Sequence, residues 1–346
     1  LNYLDYIKNI EPANKIMAEH VKNRFDKKNK PLGSLGSLEQ LMIQISSIKN
    51  SDNFSLENKK HFVFASDNGV VEEGVSPCKK DLSLYVSETM LEGRAAIAIM
   101  CEAYGVDFSL VDVGLDGNFS KSYENLVQMK TTMGTKNIKN EDAMNQEELH
   151  IIFQRVFDLV EKNRMDICSC GEMGIGNTTT SASIIYKILG GDLGQIVGCG
   201  SGADSEMLIK KKEVITEACK RVESKNPFEI LRQLGGFDIV AMTAFYLACA
   251  YYKIPVILDG YISMAAALVA YEINPHSRDY MIASHKTKEE GVSMVYSHME
   301  MSPMLHMNMA LGEGTGALLV YPIVKCISPL YQKMMDKEEF EKKYKI

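Results

Sequence analysis

The chain has 346 residues, 46% of them apolar and 24% charged, with a formal net charge of −7 and no tryptophan. Such a length and balance describe a globular chain with room for one large or two modest domains. The acidic total without a basic stripe excludes a nucleic-acid partner, no apolar run is long enough to span a bilayer, and the opening Leu1-Asn2-Tyr3-Leu4 is no basic-then-apolar leader, so a cytoplasmic protein acting on a small molecule or another protein is expected.

Taken in chain order, residues 1–30 are charged and helix-like. The first strand is expected over His61-Phe62-Val63-Phe64-Ala65, followed by helical periodicity over about 83–103 and a second strand over 106–113. A helix over about 146–163 leads to a third strand, Asp166-Ile167-Cys168-Ser169-Cys170, and a helix over about 178–189 to a fourth, Gln195-Ile196-Val197. Helices over about 204–223 and 237–252 precede a fifth strand at 254–258. One over about 261–273 precedes a sixth at 280–283, and another follows at about 287–299. The Lys- and Glu-rich tail resembles the opening segment in character.

Strand and helix in strict alternation predict a doubly wound α/β parallel, Rossmann-like sheet with helices on both faces and a ligand crevice at the carboxyl ends of the strands. The expected division is a large α/β domain over 31–327 and a small helical domain from 1–30 with 328–346. Cysteine usage fits reduced, buried thiols, and Cys168-Ser169-Cys170 lacks the spaced partners of a zinc site, so it reads as a packed strand. No metal is expected.

Three glycine clusters fall at predicted strand ends or turns: Gly171-Glu172-Met173-Gly174-Ile175-Gly176-Asn177-Thr178, Gly198-Cys199-Gly200-Ser201-Gly202 and Gly312-Glu313-Gly314-Thr315-Gly316. The first opens a helix-like segment, where glycines let the backbone approach a ligand and free N–H groups favour phosphate. One such turn alone is more often a plain connection; three together point to a site. The first cluster has its glycines in the order GxxGxG rather than GxGxxG, and no Gly-Lys-Ser/Thr stands at P-loop spacing, which disfavours dinucleotide oxidoreductases and NTPases.

Glu313, flanked by glycines, is either an exposed turn acid or a general base whose pKa rises on burial beneath a ring. Glu172 opposes an anion in a phosphate-like loop, so it binds a hydroxyl or ring N–H or caps a turn. Lys210, Lys211 and Lys212 form either a solvated face or, through Lys211, a reach back to a phosphate near Gly200. Asp67 and Asp259 end strands, where carboxylates bind ribose hydroxyls or cap helices. Ser284 and His285 follow the sixth strand, and Met301–Met309 reads as an adaptable apolar wall.

Several segments together resemble the nicotinate-nucleotide:dimethylbenzimidazole phosphoribosyltransferases of cobamide lower-ligand activation. They are Lys30-Pro31-Leu32-Gly33-Ser34-Leu35-Gly36-Ser37-Leu38-Glu39, Ser66-Asp67-Asn68-Gly69-Val70 with Glu73-Gly74-Val75-Ser76, Gly171 to Thr179, Val197 to Asp204, Arg278 to His285, and Leu311-Gly312-Glu313-Gly314-Thr315-Gly316. The resemblance runs almost end to end. It implies a parallel Rossmann-like sheet with a small helical domain from the chain ends. The implied reaction transfers the phosphoribosyl group of nicotinate mononucleotide to a lower-ligand base, with release of nicotinate and conversion of a β- to an α-riboside.

By resemblance Glu313 is the general base. The phosphate and ribose are expected among Gly174, Gly176, Asn177, Thr178, Gly200 and Gly202 with Lys211 nearby, and the acceptor near Ser76, Met173 and Glu313, with Glu172, Ser83 and Val86 in its surroundings. Asp67, Asp259, Ser284, Gly312 and Gly314 are further candidates. No cofactor is expected, since the mononucleotide is a substrate whose nicotinate ring, already a pyridinium, departs without protonation. Within Asp81-Leu82-Ser83-Leu84-Tyr85-Val86 the glutamine common in benzimidazole-using members is replaced by apolar residues and Ser83. This resembles the phenol-activating branch, which attaches phenol or p-cresol through oxygen and works as a heterodimer. A homodimer or a heterodimer with a homologous subunit is expected; a non-catalytic nucleotide-binding subunit is the alternative.

Overall fold

The computed structural model describes residues 2–197, 204–289 and 291–345. Six parallel strands form one sheet: β1 Lys59–Ser66, β2 Asp107–Gly114, β3 Leu126–Gln128, β4 Ile167–Met173, β5 Val256–Leu258 and β6 Met281–Ala283, in the order β3-β2-β1-β4-β5-β6. The chain starts at the centre, winds out to β3, crosses back and winds out to β6. This is the doubly wound order, which reverses between β1 and β4.

Alternation along the strands divides the core. In β1, Phe62 and Phe64 face one layer while Val63 and Ala65 face the other, because successive side chains leave a strand on opposite sides. The first layer is closed by the helices Gln146–Asn163, Asn177–Leu189, Phe237–Tyr251 and Tyr261–Ile273, the second by Ser37–Lys49, Leu82–Leu91, Ala96–Tyr104 and Tyr321–Lys333. Phe237–Tyr251 is apolar around nearly its whole circumference and is buried accordingly. Gln146–Asn163 starts where the sequence says it should: Asn145 Oδ1 accepts from Glu148 N at 2.9 Å while the Glu148 carboxylate accepts from Asn145 N at 2.8 Å.

Two expectations are corrected. Gln195-Ile196-Val197 is not a strand; a short helix, Leu193–Ile196, replaces it, because Asp192 Oδ1 accepts from Gly194 N at 2.8 Å and closes a turn. The missing strand is instead β3, three residues at the sheet edge after β2. The periodicity over 83–103 is also two helices, Leu82–Leu91 and Ala96–Tyr104, broken around Gly93.

The chain ends meet. Lys28 Nζ lies 2.9 Å from Asp336, Asn29 N donates to Met335 O at 2.9 Å, and the rings of Phe25 and Tyr331 pack edge to face at 5.0 Å. The helix Tyr3–Lys8 packs separately, Tyr3 against Phe153 and Tyr6 against Phe157 of Gln146–Asn163. Among the described residues no helix is long and apolar enough to cross a membrane.

Candidate functional site

One cavity opens above the carboxyl ends of β4, β5 and β6. Its wall gathers Ser76, Glu172, Met173, Gly174, Gly176, Asn177, Thr178, Lys211, Asp259, Gly312 and Glu313, eleven positions drawn from segments that are distant in sequence. On one side the helix Asn177–Leu189 begins, with Gly176 at its N-cap and no side chain capping its first amides. Lys211, from the helix Ser205–Arg221, reaches this end and donates from Nζ to Thr178 Oγ1 at 2.8 Å, although only 2% of it is exposed. A helix dipole and a buried ammonium at one point attract an anion.

Glu313 lines the same cavity, in a left-handed conformation at φ +63° and 7% exposed. Its loop rides directly on β4: a Cβ at Gly171 would lie 2.1 Å from the Glu313 carbonyl carbon, so only glycine admits this approach. Asp259, just beyond β5, holds the loop by accepting from Gly314 N at 3.0 Å and Gly316 N at 2.9 Å. The strand-ending carboxylate thus caps the short helix Thr315–Leu318 while also facing the cavity. Burial, reinforced by the Asp259 charge, pushes Glu313 up to about 7, where a carboxylate accepts a proton near neutral pH.

Glu172 has a partner set that its sequence position did not reveal. Its carboxylate accepts from Asn177 Nδ2, which also donates to Asp238 Oδ2 at 2.9 Å; Asp238 in turn accepts from Ser66 Oγ at 3.2 Å. Two buried carboxylates therefore share one amide. Burial and then the neighbouring Asp238 and Asp259 charges raise Glu172 to about 8, against the opposing pull of Asn177 and the Glu313 amide, and burial raises Asp238 to about 6.

The remaining expected residues sit off the wall. Ser83 is buried and accepts from Ile175 N at 3.1 Å, one layer behind the first glycine cluster. Val86 packs into the second core layer. Asp67 lies at the end of β1, where it accepts from Asp116 N at 2.7 Å and burial raises its pKa. Ser284 Oγ pairs with His285 Nδ1 at 2.9 Å, and it is His285 that reaches the cavity. Gly314 lies beneath Glu313. Gly200 and Gly202 fall outside the described residues.

Of the Met-rich segment, Met309 lines the cavity, Met301 and Met304 pack against the core and His306 is exposed. Nothing in the sequence singles out His61 or Asp238, both buried inside regular elements among apolar neighbours. Tyr261, Thr287 and Glu289 also line the cavity without a signal beyond their nearness to predicted strand ends. Cys168 and Cys170 lie in β4, packed in the first core layer against Cys249 and Tyr246.

With this geometry in view, the comparisons with known proteins are specific. The sequence model of the family described as Phosphoribosyltransferase matches residues 10–341. The nicotinate-nucleotide–dimethylbenzimidazole phosphoribosyltransferase of Clostridium perfringens is 36% identical over 341 residues, covering 97% of this chain and 94% of that protein. Its namesake from Clostridioides difficile is also 36% identical, covering 96% of this chain and 97% of its own length. The crystal structure of CobT from Thermus thermophilus superimposes with a TM-score of 0.89 at 29% identity, covering 94% of this chain and 98% of that one. Coverage runs almost end to end in both directions, and the chain belongs to the nicotinate-nucleotide–dimethylbenzimidazole phosphoribosyltransferase family.

Proposed function

We propose that this chain moves the 5-phosphoribosyl group of nicotinate mononucleotide to an aromatic acceptor of the dimethylbenzimidazole type, with Glu313 as general base. The observation that carries the reading is one cavity whose wall joins two parts: the start of the helix Asn177–Leu189 with Lys211 and Thr178, and the buried Glu313 carboxylate whose pKa lies near 7. The first part suits the phosphate through Gly174, Gly176, Asn177, Thr178 and Lys211. The second suits the acceptor, beside Ser76, Met173 and Leu311.

The chemistry asks little more of the protein. The nicotinate ring is a pyridinium in the substrate and departs as neutral-ring nicotinate when its bond to C1′ breaks. The acceptor nitrogen bonds to C1′ from the opposite face, inverting β to α, and Glu313 takes the proton that the acceptor loses before releasing it to water. Asp259 and Glu313 place negative charge where positive charge spreads over the ribose in the transition state. Glu172, raised to about 8 by burial and the Asp238 charge, lines the cavity beside the Glu313 loop.

A second reading concerns the acceptor. The apolar wall of Val75, Pro77, Met173, Ile175 and Leu311 offers few partners for an azole nitrogen, and Ser83 is already engaged by Ile175 N. That wall suits a phenolic acceptor, whose single proton Glu313 would take. Assembly as a homodimer or with a homologous subunit belongs to the same reading, and native mass measures it. We also propose that the paired chain ends act as the small helical domain.

The test is mass-spectrometric detection of product from the purified chain with nicotinate mononucleotide and either dimethylbenzimidazole or phenol, alone and with any homologous subunit. An N-linked α-riboside phosphate from the chain alone supports the benzimidazole enzyme, and an O-linked product supports the phenolic one. Bound mononucleotide with no product from either acceptor would shift the reading to a non-catalytic subunit.

A further inference from the structure

Beneath the Glu313 loop runs a line of buried polar groups that the proposed reaction does not use. His61, in the middle of β1 and fully enclosed, places Nε2 3.0 Å from the Glu313 carbonyl oxygen and Nδ1 2.7 Å from Ser169 Oγ on the adjacent β4. Ser169 Oγ lies 3.0 Å from the Tyr321 hydroxyl, which also reaches Lys60 O at 3.2 Å. The proton positions follow from what each group can do. A carbonyl only accepts, so Nε2 carries the ring hydrogen and donates it to Glu313 O; Nδ1 then accepts from the Ser169 hydroxyl, and the Tyr321 hydroxyl shares its one hydrogen between Ser169 Oγ and Lys60 O. This arrangement holds for the neutral ring, and burial pushes His61 down to about 4 despite the Glu313 carbonyl.

Two facts make the contact more than a satisfied core histidine. Glu313 has φ +63°, a conformation that a side-chain-bearing residue keeps only when its surroundings hold it there. Gly314 lies flat against the imidazole: a Cβ there would come within 2.0 Å of His61 Cε1. Asp259 grips the amides of Gly314 and Gly316 from the β5 side, and His61 grips the Glu313 carbonyl from below. The loop is thus held at its amides and at its carbonyl by two different strands.

We propose that His61, oriented by Ser169 and Tyr321, is a positioning residue for Glu313: its Nε2–H fixes the Glu313 carbonyl, and with it the direction in which the carboxylate enters the cavity. The proposal rests on the reading of Glu313 as the base. His61 is not part of the cavity wall and takes no part in the transferred proton. The charged and titratable groups that line the cavity with Glu313 are Glu172 from β4, whose carboxylate accepts from the Glu313 amide, Asp259 after β5, His285 after β6, Glu289 and Lys211.

The experiment compares the parent chain with H61L, H61Q and S169A in steady-state transfer from nicotinate mononucleotide to dimethylbenzimidazole or phenol, whichever the parent uses, with the pH profile of kcat. Leucine keeps bulk without a donor, glutamine returns an N–H near the Nε2 position, and loss of Ser169 frees the ring to take the other tautomer. H61L is expected to lower kcat about tenfold or more, as a small misplacement of a reacting group does. The KM for the mononucleotide should stay within about twofold, because the phosphate end is untouched, and the acid limb of kcat should shift. H61Q should recover most of the loss, and S169A should fall between. A folded H61L with the parental kcat and acid limb overturns the positioning role, as does an H61Q as impaired as H61L. If H61L does not fold by circular dichroism, S169A decides: parental kcat and acid limb overturn the role, and a lowered kcat with unchanged KM supports it. A parent that transfers to neither acceptor overturns the functional reading and this proposal together, which separates that failure from failure of the positioning role alone.

Discussion

Glu313 and Lys211 make opposite demands on their surroundings. Glu313→Gln keeps shape and removes the proposed base, so transfer should fall by about 10²–10⁴-fold, the usual weight of general-base catalysis. Calorimetric affinity for nicotinate mononucleotide should be little changed; loss of binding would mean that the carboxylate holds substrate rather than a proton. Lys211→Ala should do the reverse, raising KM for the mononucleotide about tenfold or more with a smaller change in kcat, since a charge-assisted contact to phosphate is made in ground and transition states alike. The pH profile belongs to the same scale. A base with a folded-state value near 7 must be ionised to act, so kcat/KM should rise with pH and level off above about 7. Glu313→Gln should abolish that limb.

Among elements, β4 and the loop that crosses it are the most constrained. Gly171→Ala would put a Cβ 2.1 Å from the Glu313 carbonyl carbon. Neither backbone can yield without losing a strand hydrogen bond or the Asp259 contacts. The variant should lose activity together with about 1–3 kcal/mol of stability, the range for overpacking a tight interior, measured by urea denaturation. This element also shows how far local sequence reaches. The helix Gln146–Asn163 and the strand β1 stand where the sequence put them, because a capping box and an unbroken apolar run are local signals. Leu193–Ile196 and β3 do not, because three or four residues carry no periodicity, and capping by Asp192 or pairing with β2 decides between helix and strand.

In the whole molecule, three buried acids set the alkaline slope of stability. Glu172, Glu313 and Asp238 have folded-state values near 8, 7 and 6, all above an ordinary carboxylate, so the folded chain retains protons that the unfolded chain has released. The stability these acids contribute should therefore fall as pH rises from about 4 to about 8. Glu313→Gln should raise the thermal midpoint at pH about 8 more than at pH about 5.

The acid side runs the other way. His61 must charge on unfolding below about 6.5, and Arg232 holds Glu229 below its usual value, as Arg221 and Arg232 hold Asp142 against the opposing pull of burial. Stability from these groups is lost as pH falls.

By itself the sequence determined the doubly wound class, the places of most helices, and the glycine clusters that carry the family resemblance, because periodicity and turn chemistry are written in neighbouring residues. It also singled out Glu313 and Lys211, through flanking glycines and helical spacing. Only the tertiary structure decided that Asp259 braces the Glu313 loop, that Glu172 shares an amide with Asp238, and that Ser83 supports the first glycine cluster from behind. It alone set His61 beneath Glu313, across 252 residues of chain. The physical reason is that burial and hydrogen-bond geometry arise where strand ends from distant segments converge, and the pKa shifts that give these acids their chemistry exist only once water has been excluded from that convergence.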